Sequence, residues 1–380
     1  MGLMNEHAGY GTDTLSDPIR TRVLPDVNGL RMHVLEAGMD PDRPCIVLLH
    51  GFPELAYSWR NIIGQLAAVG YHVVAPDQRG FGRTTGWDGS YDGDLASFRM
   101  LNRVRDVLGL VDALGRDSVT AVVGHDSGSP VAGWCSLLRP DVFRAAVLMS
   151  APFGGPPELE STKNTAIEAM NQELGQLPRP RKHYQSYYST RTAHHDMLHC
   201  QQGVHDFLRA YFHYKSADWD GNEPRPLERW SAEQLAKLPT YYVMDRHKSM
   251  PDTVAPYLPT DEEVHSCDWL PEEELRVYSA EYKRTGFQGG LQWYRCGTDP
   301  RAHRELQVFA DRTLDVPSAF IAGRHDWGVY QFPGSYERMQ TTACTDMRHC
   351  TLVEGAGHWV QQEAPNQVIE LLCEFLDGIQ

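Results

Sequence analysis

Short apolar runs that alternate with helical stretches constrain the fold of this chain more than any other feature. Buried strands are predicted for four runs in the first half of the chain, at residues 45–50, 71–75, 119–123 and 145–149. These runs are apolar throughout, as is typical of strands that are covered on both faces. The stretches between them predict helices at residues 59–69, 100–114 and 129–138. This strand–helix–strand repetition predicts a mostly parallel α/β sheet.

The α/β pattern stops near residue 152 and resumes near residue 305. A turn-rich seam at residues 154–157 opens a helical stretch that is rich in His and Tyr. The later part predicts strands at residues 316–323 and 351–354 and a closing helix at 364–376. We therefore predict an N-terminal extension, a two-part α/β core and a helical cap, with these bounds: extension 1–20, core 21–152 and 305–380, cap 153–304.

Charge and cysteine content exclude several classes of protein. The chain has 35 Lys+Arg against 50 Asp+Glu, a formal net charge of −15, which would repel nucleic-acid phosphates and anionic lipid. No apolar stretch is long enough for a bilayer span or for the core of a secretory signal. The 8 cysteines form no CxxC pair, which favours reduced thiols over a zinc ribbon or a disulfide framework. We expect a soluble cytoplasmic protein with no nucleic-acid or membrane partner.

The segment GHDSG, residues 124–128, carries the strongest chemical signal. It follows a predicted strand and opens a predicted helix, which is the setting of a nucleophile elbow. Its two glycines allow a sharp turn that exposes the middle side chain, here Asp126. Taken alone, the segment is also compatible with a Gly-Asp turn that only caps a helix, because Asp is a good N-cap residue.

Three further segments favour a catalytic role. HGFP, residues 50–53, follows a buried strand and can aim the Phe52 N–H at the same point as the Ser127 N–H, which gives two donors for an oxyanion. His358 follows the last predicted strand, where a general base is expected, and Asp326 follows the strand before it. The order of nucleophile, acid and histidine is that of hydrolases with a nucleophile elbow.

An aspartate nucleophile directs the chemistry towards saturated carbon. Attack by the Asp126 carboxylate leaves an alkyl–enzyme ester, which water activated by a neutral His358 can hydrolyse. This chemistry suits epoxides and alkyl halides and disfavours ordinary esters.

From about residue 22 to its end, the chain resembles the α/β-hydrolase-fold epoxide hydrolases. The segments at residues 50–53 and 124–128 match family motifs, and HYQSYY (183–188) and GLQWYR (290–295) resemble family segments in the cap. The resemblance implies an α/β-hydrolase fold, with a mostly parallel central sheet flanked by helices and an inserted helical cap. It also implies that Tyr294 and Tyr184 protonate the epoxide oxygen, with Tyr187 or Tyr188 as alternatives for the second position.

Positions 52 and 127 distinguish epoxide hydrolases from dehalogenases that have the same fold. Many epoxide hydrolases have Trp directly after the nucleophile, whereas this chain has Ser127, which predicts a wider or more polar pocket floor. Haloalkane dehalogenases typically hold halide with that Trp and often with Asn in place of Phe52, and haloacetate dehalogenases usually have Arg in place of Ser127. The third alternative is a hydrolase-fold protein that only binds a ligand, and the intact set of Asp126, Asp326 and His358 argues against it. We therefore expect an epoxide hydrolase.

Aromatic content suggests the kind of substrate. Eleven of the 17 tyrosines lie within residues 153–304, so a hydrophobic or aromatic small-molecule epoxide is expected. No cofactor is expected, and the oligomeric state is left open. His195 and His199 have the helical spacing of a metal-ligand pair, but such pairs are more often surface histidines, so no metal is expected. His125 is expected to be structural, as is the turn at residues 80–83.

Overall fold

The computed structural model describes residues 10–11, 13–159 and 163–379. Residues 1–9 and 12 of the predicted extension therefore lie outside the described residues. Two sheets are present in the described chain, an eight-stranded main sheet and a two-stranded sheet in the cap. The strands are β1 Arg20–Val27, β2 Leu30–Ala37, β3 Cys45–Leu49, β4 His72–Pro76, β5 Ala121–His125, β6 Ala146–Met149, β7 Arg181–His183, β8 Val243–Asp245, β9 Ser318–Gly323 and β10 Met347–Val353.

The main sheet has the strand order β1-β2-β4-β3-β5-β6-β9-β10. The pairs from β4 to β10 are parallel, and the β1–β2 and β2–β4 pairs are antiparallel. β7 and β8 pair separately and antiparallel between β6 and β9 in the chain. The chain therefore has the α/β-hydrolase fold, with a mostly parallel sheet and an inserted cap.

Helices cover both faces of the main sheet and make up most of the cap. The core helices before the cap are α1 Arg60–Ala68, α2 Met100–Ala113 and α3 Gly128–Leu138. Those of the cap are α4 Lys163–Gly175, α5 Tyr184–Tyr188, α6 Ala193–Leu198, α7 Gly203–Lys215, α8 Ala232–Leu235, α9 Met250–Val254, α10 Asp261–Ser266, α11 Glu272–Thr285, α12 Gln288–Thr298 and α13 Pro300–Leu306. After the cap follow α14 Ser335–Arg338, α15 Val360–Glu363 and α16 Pro365–Asp377.

The continuous apolar strands are explained by this layering. Successive side chains of a strand point to opposite faces. In β3, Ile46 and Leu48 share a core cluster with α1 and α16, whereas Val47 and Leu49 share one with α2 and α3. All four are fully buried, each contributing about 1.5–3 kcal/mol through burial.

The cap lies against the core through a buried arginine. Arg60 of α1 donates to the Trp269 carbonyl oxygen at 3.0 Å and to Gln362 Oε1 at 2.7 Å, and it pairs with the Glu274 carboxylate of α11. We propose residues 153 and 304 as the ends of the cap, because β6 ends just before the first and the α/β pattern returns after the second. Within the described residues, no helix is long and apolar enough to cross a membrane.

The apolar pattern of the sequence predicted the central strands and helices to within a few residues. It did not predict three features. The β1–β2 hairpin was not recognised because most of β1 is exposed at the sheet edge and carries polar side chains. β10 begins earlier than predicted, and its half-buried start lacks an apolar run. The short β7–β8 pair within the cap was also missed. The extension packs on the core through Tyr10, which is buried and donates to Asp77.

Replacement of Gly128 with Ala should destabilise the protein. An added Cβ would lie 2.4 Å from the Leu49 carbonyl oxygen and 2.7 Å from that of His50, both of them backbone atoms. We expect a loss of roughly 2 kcal/mol in the free energy of unfolding, measured by urea titration. Gly64→Ala in α1 is the matched control: its Cβ meets nothing closer than 3.8 Å and should stabilise the helix by roughly 0.5–1 kcal/mol. Equal stability of the two variants would contradict the expectation.

Candidate active site

Four predicted site residues lie together at one edge of the main sheet. Asp126 directly follows β5, Phe52 lies just beyond β3, and Asp326 and His358 are in the loops after β9 and β10. Because these strands are parallel, their carboxyl ends open at the same edge, which is the usual ligand-binding edge of an open α/β sheet.

The backbone at Asp126 is sharply turned, as expected for a nucleophile elbow. Its φ is 50°, in the left-handed region that non-glycine residues seldom adopt. The neighbouring glycines are required: a Cβ on Gly124 would lie 2.1 Å from the Gly128 carbonyl oxygen, and one on Gly51 would lie 2.4 Å from the Asp126 Cβ. The predicted motifs at residues 50–53 and 124–128 therefore pack directly against each other.

Asp126, His358 and Asp326 form a continuous chain of contacts. His358 Nδ1 lies 3.0 Å from Asp326 Oδ1, and His358 Nε2 lies 3.4 Å from Asp126 Oδ2. Since a carboxylate only accepts, the Asp326 contact assigns a proton to Nδ1, and Nε2 faces Asp126. Nε2 donates to the free carboxylate when the ring is charged, and it offers a lone pair to water when the ring is neutral. The Gly328 N–H also donates to Asp326 Oδ1 at 2.7 Å, which fixes the acid. His358 is therefore oriented to remove a proton from water beside Asp126.

The carboxylates of Asp126 and Asp326 both remain ionised at neutral pH. Burial alone raises the pKa of Asp126, but the hydrogen bond and charge of His358 outweigh it, with smaller help from Lys215 and His125, and bring the pKa below its ordinary value. For Asp326, burial is likewise outweighed by the charge and hydrogen bond of His358 and then by the charge of Lys215, so that pKa is also lowered. Asp126 is thus held as a carboxylate, the form that acts as a nucleophile.

Of the two predicted oxyanion donors, the N–H groups of Phe52 and Ser127, the first contacts the nucleophile directly. The Phe52 N–H donates to Asp126 Oδ1 at 3.0 Å, so it already faces the carboxyl oxygen. Ser127 lies at the start of α3, directly after Asp126. Its hydroxyl oxygen is buried and has no hydrogen-bond partner among the described residues.

His125, expected to be structural, links the two catalytic loops. Its Nδ1 lies 2.6 Å from Glu54 Oε2, and its Nε2 lies 2.7 Å from the His358 carbonyl oxygen. Although burial raises the pKa of Glu54 and lowers that of His125, their mutual attraction outweighs burial, so the pKa of Glu54 falls and that of His125 rises. His125 is therefore an imidazolium that donates from both ring nitrogens, and it holds the His358 backbone in place.

Glu363 fixes the other side of the same loop. Its carboxylate accepts the N–H groups of Gly357 at 2.7 Å and Trp359 at 2.8 Å, the two neighbours of His358. It also accepts the Ala217 N–H of the cap at 2.8 Å. Burial raises the pKa of Glu363 to about 7, although these three donors favour the charged form. Sequence reasoning missed both Glu54 and Glu363, and the only available signal was their nearness to the two motifs.

Tyr184 and Tyr294 lie side by side in the cap. Their ring centroids are 5.8 Å apart, and the Phe52 ring, beside the elbow, is 5.4 Å from that of Tyr294. Burial and then the charge of Asp126 raise the pKa of both phenols well above the ordinary value, so both hydroxyls stay protonated. Tyr184 donates to Gln331 Oε1 at 3.1 Å, whereas the Tyr294 hydroxyl has no partner among the described residues.

The alternative tyrosines are engaged elsewhere. The Tyr187 hydroxyl donates to Asp196 at 3.0 Å, and the Tyr188 hydroxyl donates to Tyr211 at 3.3 Å. The Tyr188 ring nonetheless packs on that of Tyr294 at 4.8 Å, so it belongs to the aromatic lining. The Tyr184 hydroxyl is also hydrogen-bonded, but the charge of Asp126 acts on Tyr184 as it does on Tyr294, which favours Tyr184 over its two neighbours as the second donor.

The other sequence candidates lie away from this chemistry. His195 and His199 have ring centroids 4.6 Å apart, and the described residues contain no group of three or more His, Cys, Asp or Glu that could hold a metal ion. The segment at residues 80–83 is a turn with positive φ at Gly80 and Gly82, and the Arg83 N–H donates to Asp77 Oδ2 at 2.9 Å.

Comparison with known proteins points to one family. A family model described as the alpha/beta hydrolase fold matches residues 44–365. Epoxide hydrolase A of Mycobacterium tuberculosis is 34% identical over 361 residues, which cover 95% of this chain and 98% of the relative.

Solved structures of similar proteins agree with this match. An epoxide hydrolase from an endophytic Streptomyces is similar with a TM-score of 0.79 and 30% identity, over 96% of this chain and 97% of the other. Epoxide hydrolase A from Mycobacterium thermoresistibile is similar with a TM-score of 0.74 and 32% identity, over 95% and 98% of the two chains.

Proposed function

Because the chain belongs to the epoxide hydrolases of the α/β-hydrolase fold, we propose that Asp126, His358 and Asp326 convert an epoxide to a vicinal diol. The observation that carries this assignment is the chain of contacts from Asp326 through His358 to a carboxylate in the nucleophile position, whose charge acts on two protonated cap tyrosines. A carboxylate there attacks an alkyl carbon, and the phenols supply the acid that an opening epoxide needs.

In the first step, Asp126 Oδ attacks one carbon of the epoxide ring and forms an ester bond. The carbon–oxygen bond of the ring breaks, and its electron pair leaves with the oxygen. An alkoxide is a poor leaving group in water, so a proton donor lowers the barrier. Tyr294 and Tyr184 bond this oxygen and stabilise its charge, and a phenol proton completes the hydroxyl group. The free hydroxyl of Tyr294 makes it the main donor.

In the second step, water attacks the Asp126 carbonyl carbon of the ester. His358 Nε2 takes the water proton, and Asp326 stabilises the imidazolium that forms. The N–H groups of Phe52 and Ser127 hold the oxyanion of the tetrahedral intermediate. The bond to the alkyl oxygen then breaks, and that oxygen takes the proton held by His358. The second water proton leaves the new Asp126 carboxyl group and returns to the tyrosine that gave its proton in the first step, so the Asp126 carboxylate and the phenol are both restored.

Replacement of Tyr294 with Phe should slow formation of the ester. The variant keeps the ring and its packing on Phe52 but loses the free hydroxyl, so the opening oxygen loses a donor. We expect the alkylation rate constant to fall about 10²-fold or more, as is usual for general acids. Rapid-mixing kinetics in a single turnover, followed by aromatic fluorescence, measures this constant directly.

Tyr187→Phe is the matched control for this experiment. Tyr187 is on the same short helix as Tyr184, but its hydroxyl donates to Asp196. The alkylation rate constant of the Tyr187→Phe variant should stay within about twofold of the wild type, because no group at the nucleophile changes. Unchanged alkylation in Tyr294→Phe would remove Tyr294 from the mechanism.

The substrate proposed is a hydrophobic or aromatic epoxide small molecule, since aromatic rings surround the two tyrosines. A panel of aryl epoxides, 1-haloalkanes and simple esters tests the assignment. Diol formation without halide release or ester cleavage is the expected result, and halide release as the main activity would contradict it. We also propose a cytoplasmic location, which is compatible with eight free cysteines.

A further inference from the structure

Lys215, the last residue of α7, places a buried positive charge beside the site. The residue is 3% exposed, and its backbone oxygen accepts the His358 N–H at 3.0 Å. Within the described residues, its ammonium group forms no hydrogen bond and no ion pair. Four aromatic rings, which we call the aromatic box, surround the ammonium nitrogen with centroids 5.0–5.6 Å away: Tyr211, Tyr241, Tyr242 and Trp359.

The aromatic box offsets only part of the cost of burying this charge. Ring faces attract a cation, but they do not replace the hydrogen bonds that an ammonium group makes in water. An uncharged Met of similar length would fill the same space without that cost. Packing therefore does not explain a lysine at this position.

The charges that act on Lys215 include those of both catalytic carboxylates. Burial lowers the pKa of Lys215, and the carboxylates of Asp126, Asp326 and Glu54, in that order, oppose the change. In turn, the Lys215 charge lowers the pKa of Asp126 and of Asp326. One ring of the aromatic box also contacts the general base: the Trp359 ring is 4.6 Å from that of His358. Neither Tyr184 nor Tyr294 belongs to the box.

The charges around the site change between the two half-reactions. Among the groups whose charges act on Lys215, Asp126, Asp326 and Glu54 carry three negative charges while Asp126 is free, and Lys215 and the nearby His125 imidazolium are the two cations set against them. Once Asp126 is an ester, two carboxylates face two cations. Lys215 therefore interacts more favourably with the free carboxylate than with the ester.

We propose that Lys215 is an electrostatic positioning residue for the second half-reaction, in which it stabilises the negative charge returning to Asp126 and so speeds hydrolysis of the ester. The inference rests on the proposed function, because it requires the ester at Asp126. The charge builds up on the Asp126 oxygens in the tetrahedral intermediate and remains there when the carboxylate is released. In the first half-reaction the charge moves away from Asp126 towards the tyrosines, so Lys215 gives no such help.

The test compares the two rate constants in Lys215→Met and Lys215→Arg by rapid-quench single turnovers, with the ester counted by intact mass. In Lys215→Met we expect hydrolysis to slow about tenfold, alkylation to stay within about twofold of the wild type or to rise, and ester to accumulate in the steady state. Lys215→Arg keeps the charge and should retain most of the hydrolysis rate constant. A structural role would lower both constants together.

Lys182→Met is the matched control. Lys182 is a cap lysine whose ammonium lies 4.7 Å from the Tyr187 ring, so the substitution removes a similar contact with an aromatic ring. Both of its rate constants should match the wild type. If Lys215→Met does not fold, Lys215→Gln is measured against the same criteria. Unchanged hydrolysis, or equal falls in both constants, overturns the proposal. A wild type that forms no ester overturns the proposed function, and this inference with it.

Discussion

Replacement of Asp126 with Ala should abolish epoxide hydrolysis, with a fall in kcat/KM of at least about 10⁴-fold. The methyl group cannot form an ester, and the neighbouring Ser127 hydroxyl has no hydrogen-bond partner among the described residues that could activate it. His358 would still face the position of the lost carboxylate. Diol formation measured by chromatography, together with intact mass after incubation with epoxide, gives the result: no diol above background and no adduct.

A folding control accompanies this variant. Asp126 has φ 50°, so Ala there carries a strain of about 1–2 kcal/mol, which a protein of this size tolerates. Thermal unfolding should therefore show a cooperative transition near that of the wild type. A folded Asp126→Ala protein that retains activity within about tenfold of the wild type would contradict the assignment of the nucleophile.

Replacement of His358 with Gln should stop the reaction halfway. Asp126 remains able to attack the epoxide, but no base activates water beside the ester. We expect kcat to fall about 10³-fold or more while alkylation stays within about tenfold of the wild type. Intact mass spectrometry should show the protein carrying one added substrate mass, and peptide mapping should place it on Asp126.

The double variant Asp126→Ala/His358→Gln is the matched control for this trapping experiment. It should carry no added mass, because the attacking carboxylate is absent. An adduct of equal amount in the double variant would show alkylation at another residue. Absence of an adduct in His358→Gln would show that His358 acts before or during ester formation, which is contrary to the two-step account.

The residues that sequence could identify are those with strong local signals. Asp126 and Phe52 occupy short motifs whose glycines leave no room for a side chain, so backbone geometry and chemistry are encoded within five residues. His358 and Asp326 followed from strand order, because each lies after a strand that the apolar pattern already indicated. Their meeting at one sheet edge is a consequence of parallel pairing.

The residues that sequence could not identify act across long stretches of chain. Lys215 ends a cap helix, and its role depends on the Trp359 ring and on charges from the core. Glu54 and Glu363 look like ordinary acidic residues until the fold places them on either side of the His358 loop. No periodicity or spacing records such contacts. The choice of Tyr184 likewise depends on the hydroxyl partners of its neighbours, which only three-dimensional packing provides.

One measurement tests the covalent role of Asp126 most directly. A single turnover of epoxide by excess enzyme in ¹⁸O-water is quenched, and the diol and the Asp126 peptide are analysed by mass spectrometry. Since the diol takes its new oxygen from Asp126, the account predicts an unlabelled diol and one ¹⁸O atom in the Asp126 carboxylate. A labelled diol with an unlabelled Asp126 peptide would mean direct attack by water and would contradict the account.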